Sequence, residues 1–354
     1  MKRTELILAM AAFSAVGGIL TCSREKGSAV SEDLPASYCR DTPLWQTGVR
    51  LVPVLRMGSP EDSGGLEFGE VSDLALGMDG NLYVLDRALR RVLRLSTEGE
   101  LLATIDLQFG DGPGEFRHPW SVAADHGGKV FLTDRVHQRV TTLDPKGRFL
   151  DSFALGFDPA ALAVDSLGHH IYVSCWLASY RGPLIRVYSK TGKLLRKLCA
   201  QPPETQAVRF SGDGGAMSVA AGGDILFSFP YPYEIRRYTA DGRLVLRFRR
   251  SLSWFRPPSF DEVRALVRDY AFVRGVGLLP DGKIAHVVGG REGEREFFFF
   301  LDLFDRDGTY LTSEPLEAYG LSFVRFLAVD RQGHLYFDYY EPYPYIVKYR
   351  LEPR

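Results

Sequence analysis

A phrase that occurs six times in this chain constrains its fold more than any other feature. Each copy has a small-residue turn that ends in Gly, with a short apolar and aromatic run on either side. The clearest copies are DLALGMDGNLYVLD, residues 73–86, and SVAADHGGKVFLTD, residues 121–134. Repeats of about 40–60 residues that contain strands are typical of propeller blades. We therefore predict an all-β protein, a six-bladed β-propeller of four-stranded antiparallel blades.

The ends of the repeat array predict how the ring closes. The sixth blade reaches the C-terminus without a fourth strand, whereas residues 49–56 (VRLVPVLR) belong to no repeat. Pairing of 49–56 with 345–351 would close the ring by an N-terminal strand and remove an exposed sheet edge. A radial array forms one unit, so residues 44–354 are expected to be a single domain. A capping box at Ser259 predicts one inserted helix near residues 259–270.

The N-terminus has the pattern of an export signal. Lys2 and Arg3 precede a nearly uncharged apolar stretch that ends at Cys22. This length is short for a membrane span and suits a signal peptide over residues 1–21. The segment resembles a bacterial lipoprotein signal, which implies that Cys22 carries a lipid. An ordinary secretory signal cut nearby is the alternative.

The residues that follow the signal are small and polar. Residues 22–43 lack hydrophobic periodicity, so we predict a flexible tether between anchor and domain. Lipidation of Cys22 would hold the protein on a membrane, and the lipoprotein resemblance implies the outer membrane. Without the lipid, the protein is expected in the periplasm.

Three further cysteines leave their pairing open. Cys175 and Cys199 fall on the second and fourth predicted strands of one blade, too far apart for a direct disulfide. Export permits a bridge from Cys39 to one of them. Buried thiols are the other interpretation.

Two segments carry a family resemblance. DRALRRV (86–92) and DRVHQRV (134–140), together with the linker GDGPGEFRHPWSVAAD (110–125), resemble repeats of the NHL-type six-bladed β-propeller family. They are most similar to its exported bacterial members. The resemblance covers about a quarter of the chain and implies fold and export. It implies no common ligand, because the family includes binding proteins, scaffolds and enzymes.

Several motifs that could be taken for catalytic, phosphate-binding or metal sites have simpler structural explanations. Asp86 and Asp134 each precede an Arg by five residues and recur from blade to blade, which suits a structural contact better than catalysis. The Gly-rich segment 110–114 lacks the Gly-Lys-Ser/Thr ending of a phosphate loop. The histidines show no zinc spacing on one element. A net charge of -1, with no basic stripe, argues against nucleic acid. We expect no metal and no cofactor.

Aromatic loops give the most specific functional prediction. Pro-Tyr-Pro-Tyr occurs at residues 230–233 and 342–345, both between a second and a third strand. These loops and the interblade linkers should emerge on one face, around the mouth of the central channel. Tyr, Trp and Arg are enriched in binding surfaces. The predicted binding residues are Trp176, Tyr180, Arg181, Tyr231, Tyr233, Tyr343 and Tyr345.

The sequence thus predicts an exported, membrane-anchored propeller. It would act as a binding or scaffold protein for a peptide, glycan or protein partner through this aromatic-rich face. The alternative is a metal-dependent propeller enzyme of the lyase or lactonase type that uses the central funnel. Fold alone does not choose between them, because propellers serve both purposes.

Overall fold

Six small antiparallel sheets form the body of the protein. The computed structural model describes residues 28–29, 34–39, 42–58, 66–176, 182–207, 215–220, 222–229, 232–251, 270–291, 298–321 and 327–354. Within these residues, each of the six sheets has four antiparallel strands, five of them as a meander and the sixth completed by an N-terminal strand, and two sheets gain a fifth, parallel strand. The first strands of successive blades contact one another in a closed cycle, so they surround a central axis. The predicted six-bladed propeller is confirmed.

The strands follow the repeats closely. Three strands precede the first blade: β1 (Ser28–Ala29), β2 (Ser37–Tyr38) and β3 (Val49–Met57). Blade 1 contains β4 (Val71–Leu76), β5 (Leu82–Asp86), β6 (Arg91–Leu95) and β7 (Leu101–Asp106). A linker with the short parallel pair β8 (Gln108–Phe109) and β9 (Glu115–Phe116) leads to blade 2. Blade 2 contains β10 (Pro119–Ala124), β11 (Val130–Asp134), β12 (Arg139–Leu143) and β13 (Phe149–Ala154).

The remaining blades repeat this pattern. Blade 3 contains β14 (Pro159–Val164), β15 (His170–Cys175), β16 (Ile185–Ser189) and β17 (Leu194–Leu198). Blade 4 contains β18 (Ala216–Val219), β19 (Ile225–Phe229), β20 (Glu234–Tyr238) and β21 (Leu244–Arg249). Blade 5 contains β22 (Tyr270–Leu278), β23 (Ile284–Arg291), β24 (Phe298–Phe304) and β25 (Tyr310–Pro315). Blade 6 contains β26 (Leu327–Val329), β27 (Leu335–Tyr339) and β28 (Tyr345–Pro353).

Helices are scarce in the described part of the chain. The α-helix α1 (Pro203–Ala207) follows blade 3, and a 3-10 helix (Leu316–Tyr319) follows blade 5. Most of the predicted helix at 259–270 lies outside the described residues, and Tyr270 begins β22 instead. Among the described residues, no helix is long and apolar enough to cross a membrane.

The core is divided among the blade interfaces. Within the described chain, six clusters of buried apolar residues occur, one between each pair of neighbouring blades. Second strands such as Leu82–Asp86 are buried along their whole length because a blade packs on each side. Outer strands such as Phe149–Ala154 are mostly exposed or partly exposed. Each apolar run therefore stabilises two blades at once.

The N-terminal strand closes the ring as predicted. β3 pairs antiparallel with β28, from Ile346 opposite Met57 to Pro353 opposite Val49. It supplies the fourth strand that the sixth repeat lacks, and Val49, Leu51 and Met57 are buried. Closure covers the edge of β28, which would otherwise expose unpaired backbone groups.

The described parts of the predicted tether lie against the outer rim. β1 adds a parallel fifth strand to blade 3 beside β17, and β2 does the same for blade 4 beside β21. The amides of Leu44 and Trp45 then bond to the carbonyls of Tyr310 and Leu311 in blade 5. The flexible tether over residues 22–43 stays a prediction, and β1 and β2 show where its described residues pair with the blades. Polar segments without periodicity can still pair through their backbone, which composition does not reveal.

The cysteines fit the interpretation as thiols. Cys39, Cys175 and Cys199 form no disulfide in the described structure, and Cys22 lies outside it. The Cys39 thiol donates to the Gly308 carbonyl at 3.0 Å, and burial raises its pKa to about 11. Cys175 and Cys199 are buried in blade 3.

We predict that β3 stabilises the whole ring, whereas the preceding strap, β1 and β2, does not. A chain beginning at residue 58 loses the buried side chains of Val49, Leu51 and Met57, worth about 2 kcal/mol each. Its melting temperature should fall by about 10 °C in a single transition. A chain beginning at residue 42 keeps every four-stranded blade and should melt nearly as the full chain does. Equal melting of both chains, measured by calorimetry, would contradict this role for β3.

Candidate functional site

One face of the propeller carries the groups with the most distinctive chemistry. The interblade linkers and the loops between second and third strands emerge together there, and we call it the linker face. The opposite face carries the tight glycine turns of each hairpin, such as Asp79-Gly80 and Glu98-Gly99. The linker face is the less regular one, as expected of a functional surface.

Buried carboxylates hold the linkers in place on this face. The Asp134 carboxylate accepts four backbone N–H bonds, from Arg117 and His118 of the entering linker and from Val136 and His137 of its own loop. These bonds span 2.7–3.1 Å, and Asp134 is fully buried. Asp134 therefore has a structural role.

Asp86 repeats this arrangement in blade 1. Its carboxylate accepts from the amides of Gly69 and Glu70 in the entering linker and from Leu89 in its own loop. The following arginines assist in different ways. Arg91 lies 3.5 Å from Asp86, whereas Arg139 donates to the linker carbonyls of Gly112 and Glu115. The repeated Asp and Arg thus fix the loops of both blades.

In the Gly-rich linker, a carboxylate of the linker itself occupies the space beside the glycines. The Gly112 amide donates to the Glu115 carboxylate at 2.8 Å, and a Cβ on Gly110 would lie 2.0 Å from the same oxygen. Glycines are needed because this carboxylate fills the space where side chains would project. The loop is an interblade turn closed by Glu115.

Two tryptophans and an arginine meet at the inner end of blades 2 and 3. Trp120 lies on β10, the innermost strand of blade 2, and its indole N–H donates to Ala160 on the innermost strand of blade 3 at 3.0 Å. Its ring centroid is 5.7 Å from that of Trp176. The Arg135 guanidinium lies 4.7 Å from each ring centroid. The three residues are partly exposed, and Trp120 lies at the linker-face end of an innermost strand, beside the central axis.

Asp158 fixes the orientation of Arg135. The guanidinium donates from Nε to one carboxylate oxygen at 2.7 Å and from Nη2 to the other. A bidentate pair of this kind restricts the arginine to one plane. The indoles and guanidinium are therefore held in place before any ligand arrives.

The same arrangement continues toward blade 1. His118 stacks on Trp120 with ring centroids 5.6 Å apart, and Arg87 donates to His118 Nε2 at 2.5 Å. Arg87 also pairs with Glu70. Burial, with Arg87 and Arg135 nearby, lowers the pKa of His118 below its ordinary value. The ring is therefore neutral near pH 7 and accepts the bond from Arg87.

We call the residues of the last three paragraphs the channel-mouth cluster. Its chemistry follows from the pairing of its arginines with carboxylates. Two guanidiniums are matched by two carboxylates, and the imidazole is neutral, so the cluster presents aromatic faces and hydrogen-bonding groups with little net charge. Its members are Glu70, Arg87, His118, Trp120, Arg135, Asp158 and Trp176.

The structure divides the predicted binding residues into separate groups. Trp176 is part of the channel-mouth cluster. Tyr180, Arg181 and Tyr231 lie outside the described residues. Tyr233 is only 4% exposed and packs between blades 4 and 5, so its prediction as a surface binding residue is wrong.

Tyr233 instead joins a buried polar network. Its hydroxyl donates to Asp302 at 2.7 Å and lies 2.7 Å from Nδ1 of His286. Because the only hydroxyl proton goes to Asp302, Nδ1 of neutral His286 carries a proton and donates to Tyr233. Arg250 and Ser313 complete the contacts of Asp302. Burial and the Asp302 charge raise the pKa of Tyr233 well above its ordinary value.

Tyr343 and Tyr345 turn toward the rim instead of the channel. Arg56, on the outermost strand of blade 6, lies 3.9 Å from the Tyr345 ring centroid and donates to the Tyr343 hydroxyl at 2.9 Å. Tyr345 also stacks on Tyr339, with centroids 4.5 Å apart. The position of these tyrosines in a loop does not determine which way their rings point. Their direction depends on Arg56, which is far away in sequence on the closing strand β3.

Sequence reasoning missed most of the channel-mouth cluster. The sequence shows the recurring Asp-Arg pairs, but these are not members of the cluster. Trp120 is a strand residue, and its role is recognised only when its spatial neighbours are known. Tyr340 was also missed, and its hydroxyl crosses to the carbonyl of Val71 on the innermost strand of blade 1 at 2.8 Å. The only available signal was the tryptophan within HPWSVAAD, directly after a linker.

The described histidines and acids form no metal centre. Among the residues that the structure covers, no group of three or more His, Cys, Asp or Glu is placed to hold a metal ion. His286 lies between blades 4 and 5, apart from His118 and His137 of the linker region between blades 1 and 2.

Comparison with known proteins confirms the fold alone. No protein-family model and no curated protein sequence matches this chain. A DUF4221 family member from Bacteroides vulgatus is similar in structure, with a TM-score of 0.65 and 9% identity over 88% of this chain and 100% of that chain. A Bacteroides fragilis protein, provisionally assigned as exported, has a TM-score of 0.60 and 11% identity over 89% and 98% of the two chains. The chain is a six-bladed β-propeller.

A more distant similarity involves an enzyme. Virginiamycin B lyase from Staphylococcus aureus has a TM-score of 0.47 and 13% identity, over 82% of each chain. At this level the likeness carries no argument about activity.

We predict that His286 makes the fold sensitive to acid. Burial, and secondarily Arg250, lowers the pKa of His286 from 6.5 to about 3. Between these values the unfolded chain binds more protons, so the free energy of unfolding should fall as pH falls, by about 1.4 kcal/mol per pH unit. His286→Gln should reduce this slope between pH 6 and 4 in urea titrations, whereas exposed His169→Gln should leave it unchanged. Equal slopes in both variants would contradict the prediction.

Proposed function

We propose that this protein is an exported, membrane-anchored propeller that binds a peptide, glycan or protein partner at its linker face. The observation that carries this proposal is the pair of indoles around one guanidinium, Trp120, Trp176 and Arg135, at the mouth of the channel. Of the aromatic loop residues that the sequence singled out, Trp176 supports the same role.

The composition of the cluster favours recognition. Trp and Arg are enriched among the few residues that carry most of the binding free energy at protein interfaces. Arg135 is already held by Asp158, so little conformational freedom remains to be lost on binding. The cluster is therefore suited to bind without rearrangement.

Charge pairing indicates what kind of ligand contact the cluster makes. Arg87 is matched by Glu70 and Arg135 by Asp158, leaving little net charge. Such a surface suits backbone amides, sugar hydroxyls or neutral side chains that stack on an indole. The metal-dependent enzyme suggested as an alternative has no observation in its favour among the described residues.

We predict that the two indoles supply much of the binding free energy. Trp120→Ala and Trp176→Ala should each weaken binding by about 1–3 kcal/mol. Wild-type and variant proteins would be applied to arrays of immobilised glycans and of peptides, and the strongest binder of the wild type would be titrated by calorimetry.

Tyr38→Ala provides the matched control. This aromatic side chain is 70% exposed at the rim on blade 4 and should leave binding unchanged. Wild-type affinity in both tryptophan variants, with normal melting, would refute the channel-mouth site.

The proposed anchor is the lipid on Cys22. Its support is the lipoprotein-like signal in the sequence, together with a structural neighbour that is provisionally assigned as exported. One acylated cysteine with diacylglycerol supplies enough buried chain for stable attachment.

We predict that Cys22→Ser releases the protein from the membrane. Without the thiol no lipid can be attached, so the protein should move to the soluble fraction after export. Fractionation followed by immunoblotting measures this, with Cys39→Ser as a control that stays membrane-bound. A Cys22→Ser variant that remains in the membrane fraction would exclude the lipid anchor.

A further inference from the structure

A recess lies on the linker face, between blades 1 and 2. It has a volume of about 370 Å³. Its walls come from the loop after the second strand of blade 1 and from the linker that enters blade 2. Its lining residues are Arg87, Arg90, Leu107, Gln108, Phe109, Phe116, Arg117 and Pro119. We call it the arginine groove.

The charge of the arginine groove is one-sided. Three arginines line it, and no aspartate or glutamate does. The partners of Arg87 and Arg117 are Glu70 and Asp111, and neither carboxylate belongs to the lining. Within the described chain, Arg90 has no carboxylate partner. The groove thus offers guanidinium groups to a ligand, with at least one charge uncompensated.

Two of these arginines are held in position. Arg117 donates through both Nε and Nη2 to Asp111, at 2.9 and 2.6 Å. Asp111 is in turn bound by His137 Nε2 at 2.8 Å. These contacts hold the pKa of Asp111 well below its usual range, and Arg117 is the first cause. Arg87 is fixed by Glu70 and His118, so both guanidiniums are preorganised.

The groove also has an apolar side. Phe109 is 55% exposed, and the guanidinium carbons of Arg117 and Arg90 lie 4.8 and 5.6 Å from its ring centroid. Leu107, Phe116 and Pro119 continue this surface inward. A small inorganic anion would engage the arginines and leave the apolar wall uncovered.

We propose that the arginine groove binds the C-terminal carboxylate of a peptide whose last side chain is apolar. The carboxylate accepts hydrogen bonds from Arg90 and Arg117, and the last side chain packs on Phe109. Planar guanidiniums match carboxylates in geometry, and the recess is of a size that suits a small ligand. This goes beyond the channel-mouth site, shares only Arg87 with it and does not depend on it.

The test uses a dye-labelled pentapeptide that ends in phenylalanine with a free carboxylate, and the same peptide with a C-terminal amide. Fluorescence anisotropy with the full chain measures both. We expect the acid to bind about tenfold or more tightly than the amide, and its affinity to fall as salt is raised from about 0.05 to 0.5 M. Equal affinities, or no binding of the acid at millimolar protein, would overturn the proposal.

Variants test the position of the site. Arg90→Gln and Phe109→Ala should each weaken binding of the acid about five- to twentyfold, and Arg90→Gln should also narrow the difference between acid and amide. Both side chains are exposed, so the melting temperature should stay near that of the wild type. Arg306→Gln, an exposed arginine in a hairpin turn of blade 5 on the opposite face, removes the same charge and should change nothing. Unchanged binding in Arg90→Gln, or equal loss in Arg306→Gln, would refute the site.

Competition separates a peptide site from a general anion site. N-acetylphenylalanine should displace the labelled acid at concentrations at least about tenfold lower than inorganic phosphate or acetate, because only it covers Phe109. Displacement by phosphate at the same concentration would overturn the assignment to a peptide terminus.

Discussion

Ring closure is the constraint on which the rest of the structure depends. Every blade packs on two neighbours, and the apolar core exists only as six interfaces between blades of the described chain. β3 returns from the N-terminus to pair with β28, and its Met57 belongs to the interface between blades 6 and 1. Without this pairing, one sheet would expose an edge and the first and last blades would lose a common partner. Stability is therefore shared around the ring, as neighbouring interfaces in a repeat protein require.

The second constraint positions the linkers on the linker face. Backbone amides of a linker need partners, and Asp86 and Asp134 supply them from inside each blade. These buried carboxylates fix the positions of Glu70 and His118, which directly precede β4 and β10. Arg87 and Arg135 follow the same carboxylates in sequence and are carried to the same face. The contact between a buried Asp and the linker amides repeats in blades 1 and 2. It holds in position side chains that do not repeat, above all Trp120.

The linker face divides into regions with different chemistry. The channel-mouth cluster pairs its charges internally and exposes indole rings, which favours neutral contacts. The arginine groove beside it turns guanidiniums and Phe109 to the outside and keeps their carboxylate partners out of its lining. Tyr345 at the rim is occupied by Arg56 from the closing strand. The same residue types therefore have different roles according to which neighbours the ring brings to them.

The sequence by itself determined the number of blades, their strands and the closing strand, because turn glycines and apolar runs are local patterns that each blade repeats. It also indicated that Asp86 and Asp134 are structural, since both recur. Only the tertiary structure decided which aromatic rings are accessible. Tyr233 is buried because His286 and Asp302 of the next blade provide polar partners for its hydroxyl, and Trp176 meets Trp120 because neighbouring blades bring them together. Contacts between blades join residues that are far apart in sequence, and no local pattern encodes them.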